Sequence, residues 1–127
     1  NVQKLTNLIW VWDVQDIDQQ PEINNAFNPK LYNPGDSYWD ISALDAYSDG
    51  LYNLKYYNQL MEIVGKKLFV IGECGKLPTP EELDKLNKAV FFMAWSETLK
   101  DDNADKAIQN IYYANKVVTL DEMLGWN

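Results

Sequence analysis

The sequence of 127 residues contains no histidine and only one cysteine, and these absences narrow the chemistry available to it. A single cysteine excludes a disulfide within the chain. Without histidine the remaining metal ligands are carboxylates and carbonyls, so the sequence does not favour a zinc site. The longest apolar runs, Leu8 to Trp12 and Leu68 to Gly72, fall far short of the roughly 18 residues that span a membrane. We therefore expect no cofactor, no metal and no membrane span.

Basic residues are also scarce. The chain has 11 Lys and Arg against 19 Asp and Glu, which gives a formal net charge of -8. Such a charge repels phosphate backbones, so nucleic acid is not expected as a partner. The chain lacks an initiator methionine and a signal sequence and opens almost at once on an apolar run, so we interpret it as part of something longer.

Four short apolar segments have the composition of strands. They are Leu8 to Trp12, Tyr38 to Leu44, Lys67 to Gly72 and Ala89 to Trp95. The first and third are apolar on both alternating faces, which is typical of parallel strands that are buried on both sides. We predict that both are buried in this way.

Helical patterns separate the later strands. Apolar residues recur at helical spacing from about Leu51 to Val64, and Gly65 marks the end of that helix. Thr79, Pro80 and Glu82 have the spacing of a capping box and predict a short helix to about residue 87. A last helix is predicted over residues 104–114, and residues 117–120 are predicted to be extended.

Residues 13–37 are rich in Asp, Gln, Asn and Pro and predict a long loop with a turn at Asn33 to Asp36 and at most a short helix inside. The order of elements is strand, loop, strand, helix, strand, helix, strand, helix. This order predicts a single α/β domain over residues 1–127 built on a parallel sheet.

Polar and aromatic side chains follow all four predicted strands. Asp13 follows the first, Asp45 and Tyr47 the second, Glu73 the third, and Trp95 ends the fourth. The carboxyl ends of parallel strands meet at one edge of the sheet, where ligand sites form. Carboxylates beside a tyrosine hydroxyl and aromatic faces suit hydrolysis of a glycosidic bond, with Glu73 as the reacting group.

Each of these residues also has a structural interpretation. A glutamate at a strand end is more often a cap or ion-pair partner than a nucleophile, and Asp45 could hold loop amides in place. Trp10, Trp12 and Trp39 could all be packing residues. Cys74 has no cationic neighbour and is interpreted as a small buried hydrophobe. The segment Asp101 to Asp105 lacks the glycine and final glutamate of a calcium loop, so we interpret it as a solvated turn.

Six segments occur in an order and spacing that can be compared with known families: Asn7 to Trp12, Tyr32 to Ile41, Leu44 to Tyr47, Ile71 to Gly75, Phe92 to Trp95 and Val118 to Glu122. This ordered set resembles the carboxy-terminal half of glycoside hydrolase family 26, the endo-β-1,4-mannanases. Each segment alone is a weak signal. Together they extend over nearly the whole chain.

The resemblance implies the second half of a (β/α)8 barrel, strands five to eight with their helices, and retaining hydrolysis of β-1,4-mannosidic bonds. It implies that Glu73 is the nucleophile and that Tyr47 hydrogen-bonds it. Asp45 is implied to be a companion in the substrate site, and Trp95 a platform under the sugar. Trp12 and Asp13, at the end of the first predicted strand, are further candidates for substrate binding.

One departure from the family is large. The general acid/base glutamate and an adjacent histidine of the family come from the fourth strand, upstream of anything in this chain. The chain alone is therefore expected to lack a full catalytic pair and to be inactive in isolation. A half barrel also leaves unpaired strand edges and an exposed apolar inner face, so we expect a partner, either the amino-terminal half or a second copy.

Other functions stay open on the sequence alone. A relative from the same family could act on mixed-linkage β-glucan or β-1,3-xylan, and a half barrel without the acid/base could bind carbohydrate and cut nothing. A doubly wound binding domain is disfavoured because no strand is followed by a glycine-rich phosphate loop. A polymeric mannan substrate implies a secreted or cell-surface protein.

Overall fold

The computed structural model describes residues 6–16, 28–49 and 51–125. Four strands form one sheet in chain order, with every neighbouring pair parallel. They are β1 (Val11–Gln15), β2 (Ile41–Ala46), β3 (Leu68–Cys74) and β4 (Ala89–Ala94). The helices are α1 (Lys55–Val64), α2 (Pro80–Lys85) and α3 (Asp105–Tyr112). The predicted α/β class with a parallel sheet is confirmed. Among the described residues no helix is long and apolar enough to cross a membrane.

One face of the sheet is covered by the helices and forms the core. Phe69 and Ile71 of β3 alternate onto this face and are fully buried among side chains from all three helices. The Phe69 ring meets the edge of Tyr57 of α1 at a centroid distance of 5.4 Å. Burial of each such side chain contributes about 1.5–3 kcal/mol to the free energy of folding, so this packing stabilises the sheet against the helices.

The opposite face of the sheet is open and partly apolar. Val11, Leu68 and Met93, which alternate with core residues of their strands, have exposed fractions of 49–54%. The prediction that the third strand is buried on both faces is therefore wrong at Leu68, because no helix covers the open face. An exposed apolar inner face was expected of a half barrel, and these residues provide it.

The first strand differs from its prediction in position and in burial. It begins at Val11 rather than Leu8, and residues 8–10 are exposed. The reason lies in the turn before β2, because the Trp10 carbonyl accepts hydrogen bonds from the amides of Asp40 and Ile41 while its own amide donates to the Asp40 carboxylate at 2.8 Å. These bonds hold Trp10 to the turn before β2. Asp13 consequently lies in the middle of β1 and not after its end.

A β-bulge interrupts the pairing of β2 with β3. Leu44 pairs with Ile71, but the next residue, Asp45, pairs with Glu73, so Gly72 has no opposite partner. An extra residue of this kind changes which face the following side chain meets. Glu73 therefore shares the open face with Asp45.

Two predicted helix ends are confirmed, and both depend on residues within one helical turn. Thr79 and Glu82 form the predicted capping box, in which the Thr79 side chain accepts from the Glu82 amide at 3.2 Å. Gly65 follows α1 with a φ of 59°, which favours glycine. The same helix begins at Lys55 and not at Leu51, because Leu54 has a positive φ of 68° and interrupts the helical backbone.

Two further predictions are corrected. The second strand begins at Ile41, since Asp36–Tyr38 forms a single 3₁₀ turn. The terminal segment predicted to be extended ends in another 3₁₀ turn, Leu120–Glu122, which Thr119 caps. Residues 17–27 of the predicted long loop lie outside the described residues.

Candidate active site

The site lies where β2 and β3 end on the open face. Parallel pairing places Gln15, Asp45 and Glu73 side by side on three adjacent strands. Tyr47 follows β2 directly. Of the residues predicted at this edge, the structure brings Asp13, Asp45, Tyr47 and Glu73 into one cluster, which we call the carboxylate cluster.

Tyr47 and Glu73 are in direct contact. The Tyr47 hydroxyl donates a hydrogen bond of 2.7 Å to Oε2 of Glu73. Desolvation of the phenol, this hydrogen bond and the nearby charge of Glu73 raise the pKa of Tyr47 above its ordinary value. Tyr47 therefore stays protonated and serves as a donor, which fixes the orientation of the Glu73 carboxylate.

Asp13 and Asp45 approach each other beside the bulge. A methyl group on Gly72 would lie 2.6 Å from Oδ2 of Asp13 and 2.9 Å from Oδ1 of Asp45, so any larger residue there would displace both carboxyl groups. Burial raises the pKa of Asp13, and burial together with the charges of Asp13 and Glu73 raises that of Asp45 to about 7. At neutral pH a proton is therefore retained for part of the time on Asp45.

The two tryptophans proposed for sugar binding differ. Trp95 lies directly after β4 with 43% of its surface exposed, as a stacking platform requires. Trp12 is only 7% exposed, packs against Trp39 at a centroid distance of 5.3 Å, and donates from Nε1 to the Tyr32 carbonyl. The alternation of β1 directs the Trp12 side chain to the covered face, so the interpretation as packing residues holds for Trp12 and Trp39 but not for the exposed Trp10. A substrate contact by Trp12 stays a prediction.

A buried aspartate that the sequence did not single out supports the cluster. Asp16, which follows β1, is 3% exposed. Its Oδ2 accepts hydrogen bonds from the amides of Tyr47 and Ser48 at 2.9 and 2.7 Å and from the Ser48 hydroxyl at 2.8 Å. The only sequence signal was an acidic residue just past a predicted strand, and its partners are about 30 positions further along the chain.

Asn103 supports the loop on the other side of Glu73. Its side chain accepts from the Leu77 amide at 2.8 Å and donates to the carbonyls of Gly75 and Leu99 at 2.8 and 3.0 Å. The interpretation of Asp101 to Asp105 as a solvated turn is therefore wrong for Asn103, which is 7% exposed, although its acidic neighbours are exposed.

Cys74 is also buried beside this loop, as the sequence indicated. It is fully enclosed, and its thiol donates to the Met93 carbonyl at 3.3 Å. Burial raises the pKa of the thiol to about 11, so the group is neutral and unreactive at ordinary pH. Among the residues described, no three or more His, Cys, Asp or Glu side chains are arranged to hold a metal ion.

Comparison with known sequences points to one family. The profile of glycosyl hydrolase family 26 matches residues 1–122. A mannan endo-1,4-β-mannosidase from Thermothelomyces thermophilus is 31% identical over 99% of this chain and 25% of its own length. A mannan endo-1,4-β-mannosidase from Bacillus subtilis is 30% identical over 88% of this chain and 32% of its own length. The chain thus spans about a quarter to a third of the length of these curated relatives.

Solved structures give the same result. GH26A from a Muricauda species superposes with a TM-score of 0.79 at 33% identity, over 92% of this chain and 38% of that one. A GH26-CBM35 β-(1,4)-mannanase from Podospora anserina superposes with a TM-score of 0.76 at 29% identity, over 96% of this chain and 26% of that one. A β-mannanase from a symbiotic protist of the termite Reticulitermes speratus, complexed with gluco-manno-oligosaccharide, superposes with a TM-score of 0.63 at 26% identity, over 94% of this chain and 36% of that one.

Proposed function

The chain belongs to glycosyl hydrolase family 26, and from that premise we propose that it supplies the nucleophile half of the active site of a retaining endo-β-1,4-mannanase. In this proposal residues 1–127 are the carboxy-terminal half of a (β/α)8 catalytic domain. The whole molecule, this chain together with the rest of the barrel, is called the intact enzyme below.

The contact between Tyr47 and Glu73 is the observation that carries the proposal. In the first step of retaining hydrolysis, a carboxylate oxygen of Glu73 attacks the anomeric carbon and forms a covalent glycosyl-enzyme while the leaving oxygen takes a proton. A water molecule then hydrolyses that ester and restores the carboxylate. The Tyr47 hydrogen bond on Oε2 orients the carboxylate so that Oε1 is the attacking oxygen.

The proton donor comes from outside this chain. Retaining enzymes hold their two carboxyl groups about 5–5.5 Å apart on either side of the scissile bond. Asp13 and Asp45 are the carboxyl groups of the cluster besides Glu73, and they lie against each other at Gly72. The family resemblance assigns the acid/base to a glutamate on an earlier strand, in the half of the barrel that this chain does not contain.

The open face of the sheet supports the presence of that second half. It carries half-exposed apolar residues below the carboxylate cluster, and β1 and β4 each pair with only one neighbour among the described strands. An amino-terminal half barrel would cover the apolar face and pair with both free edges. The relatives, which are three to four times longer than the aligned part, have the chain length for it.

The names of the relatives support a mannan substrate. Both curated relatives are named mannan endo-1,4-β-mannosidases, and one solved neighbour holds a gluco-manno-oligosaccharide. We accordingly propose mannan, glucomannan or galactomannan as the substrate, with Trp95 stacking against a sugar ring beside Glu73. A polymer of this kind is too large to enter a cell, which agrees with a secreted or cell-surface protein.

Reducing-sugar release from glucomannan and galactomannan by the intact enzyme tests the proposal. Glu73→Gln keeps the size of the side chain and removes the nucleophile, so activity should fall by a factor of about a thousand or more. Glu62→Gln is the matched control, because Glu62 is an exposed glutamate of α1 whose carboxylate pairs only with Lys30 in the described structure. It should leave activity unchanged.

Mass spectrometry with an activated 2-fluoro-mannoside locates the covalent intermediate. A label on the peptide containing Glu73 is expected, and a label on another carboxylate would refute the assignment. Parallel assays on mixed-linkage β-glucan and β-1,3-xylan identify the polysaccharide. Binding of mannan without any cleavage by the intact enzyme would instead support a carbohydrate-binding module.

A further inference from the structure

We infer that Asp16 is a positioning residue for the nucleophile, acting through Tyr47; the inference rests on the proposed function. Asp16 does not touch Glu73. Its carboxylate holds the backbone at the start of the segment that follows β2, and that segment carries the hydroxyl that orients Glu73.

The hydrogen bonds of Asp16 converge on one oxygen. Oδ2 accepts from the amides of Tyr47 and Ser48 and from the Ser48 hydroxyl, at 2.7–2.9 Å. The Asp16 amide in turn donates to the Asp45 carbonyl at 3.0 Å. Four hydrogen bonds thus join the end of β1 to residues 45–48. Bonds to a carboxylate are stronger than neutral ones, and burial protects them from competing water.

The Tyr47 ring is held separately from its backbone. A methyl group on Gly75 would lie 3.3 Å from Cδ1 of Tyr47, so the ring rests against the bare backbone of that glycine. With the backbone fixed by Asp16 and the ring by Gly75, the hydroxyl has little freedom at its 2.7 Å contact with Glu73. Release of the backbone would lengthen or misalign that contact.

The second oxygen of Asp16 suggests a sharp test. Oδ1 is buried and has no hydrogen-bond partner among the described residues. Asp16→Asn can therefore keep an accepting oxygen at the Oδ2 position and place its amide nitrogen at the position of Oδ1. Asp16→Ala removes the acceptor altogether. A positioning role predicts that the asparagine variant recovers most of the activity that the alanine variant loses.

A double-mutant cycle in the intact enzyme separates positioning from general stability. We measure kcat and KM on a soluble manno-oligosaccharide for the parent, Asp16→Ala, Tyr47→Phe and the double variant. Each single change should lower kcat by roughly 10- to 100-fold with KM changed less than about threefold. The kcat of the double variant should be no more than about twofold below the kcat of Tyr47→Phe, because both changes remove the same constraint on Glu73.

Thr79→Ala is the matched control for stability. It removes a side-chain bond to an amide at the start of α2, so it should lower the midpoint of thermal unfolding while leaving kcat unchanged. If Asp16→Ala does not fold, Ser48→Ala removes a single donor to Oδ2 and should lower kcat only when Tyr47 is intact.

Each outcome of the cycle decides whether Asp16 positions the nucleophile or only stabilises the fold. Full additivity of the Asp16 and Tyr47 effects on kcat, or an Asp16→Asn variant as impaired as Asp16→Ala, would overturn the inference. Unchanged activity in Glu73→Gln would instead refute the proposed function. Loss of activity in Glu73→Gln and Tyr47→Phe but not in Asp16→Ala would refute the role of Asp16 alone.

Discussion

Oδ2 of Asp13 and Oδ1 of Asp45, from neighbouring strands, both lie where a side chain on Gly72 would begin. The space that they fill is the space of a missing side chain, since a methyl group there would approach them to 2.6 and 2.9 Å. The bulge residue therefore sets how closely the two carboxyl groups pack beside Glu73. This arrangement links the stability of the sheet to the electrostatics of the site.

Gly72→Ala should destabilise the protein and impair the site together. The new methyl group would also lie 3.1 Å from Cβ of Ala43, which cannot move aside as a side chain can. We expect a loss of about 1–3 kcal/mol in the free energy of unfolding, measured by urea denaturation, and lower kcat. Asp13→Ala added to Gly72→Ala should recover part of the lost stability, because it removes one of the two carboxyl groups that the new methyl group would push aside. No recovery in the double variant would contradict the packing argument.

The carboxylate cluster should make the protein less stable as pH rises from about 4 to about 7. In the folded state the pKa of Asp45 is about 7, because of burial and the charges of Asp13 and Glu73, against 3.8 for the unfolded chain. The folded protein thus holds a proton that the unfolded chain has released, so the stabilisation is complete below the unfolded pKa and is lost as pH rises through the folded one.

Asp45→Asn tests the origin of this pH dependence. The variant has no proton to release, so the decline in the thermal unfolding midpoint between pH 4 and 7 should become shallower. Asp101→Asn removes an exposed carboxylate outside the cluster and should keep the parental slope. An unchanged slope in Asp45→Asn would show that another group is responsible.

Asn103→Ala should destabilise the loop after β3. It removes three hydrogen bonds and leaves the Leu77 amide and the Gly75 carbonyl buried without that partner. We expect a loss of about 2–4 kcal/mol by urea denaturation, given about 1 kcal/mol for each bond and the cost of unsatisfied groups. Asn110→Ala, at an exposed position of α3, should lose far less. Equal losses in the two variants would contradict this account.

Trp95 and Trp12 should respond to substitution in opposite ways. Trp95→Ala removes an exposed ring and should raise KM for manno-oligosaccharides about tenfold, equivalent to about 1.4 kcal/mol, with little change in stability. Trp12→Ala leaves a cavity against Trp39 and should cost about 3–5 kcal/mol of stability. Isothermal titration with a manno-oligosaccharide and thermal unfolding separate the two effects. The reverse pattern would favour Trp12, and not Trp95, as the substrate contact.

Local signals in the sequence were sufficient for some elements. The capping box of Thr79 and Glu82 and the glycine that follows α1 depend on residues within one helical turn, and both are present where predicted. The parallel order of the strands followed from the alternation of apolar runs with helical patterns. The strand ends predicted that Tyr47 and Glu73 meet at one edge of the sheet, and the family resemblance implied the hydrogen bond between them.

The remaining features depend on partners that are distant in sequence. Trp12 lies on the covered face because the register of β1 against β2 pairs it with the buried Ser42, and the sequence of β1 alone does not set that register. No sequence motif surrounds Asp16 or Asn103 that would reveal their roles. Their hydrogen bonds reach residues 26–32 positions away in the chain. Such pairings depend on the sheet, which brings these distant segments together.

The bulge at Gly72 decides which face of the sheet the Glu73 side chain occupies. Side chains alternate along a regular strand, and Ile71 points into the helix-covered core, so uninterrupted alternation would direct Glu73 to that same side. The one extra residue reverses the count and sends the carboxylate to the open face, beside Asp45. Gly72 and the bulge that absorbs it therefore act as one unit: a β3 without Gly72 would present Glu73 to the open face by plain alternation, whereas a β3 that kept Gly72 and lost the bulge would turn the carboxylate into the core.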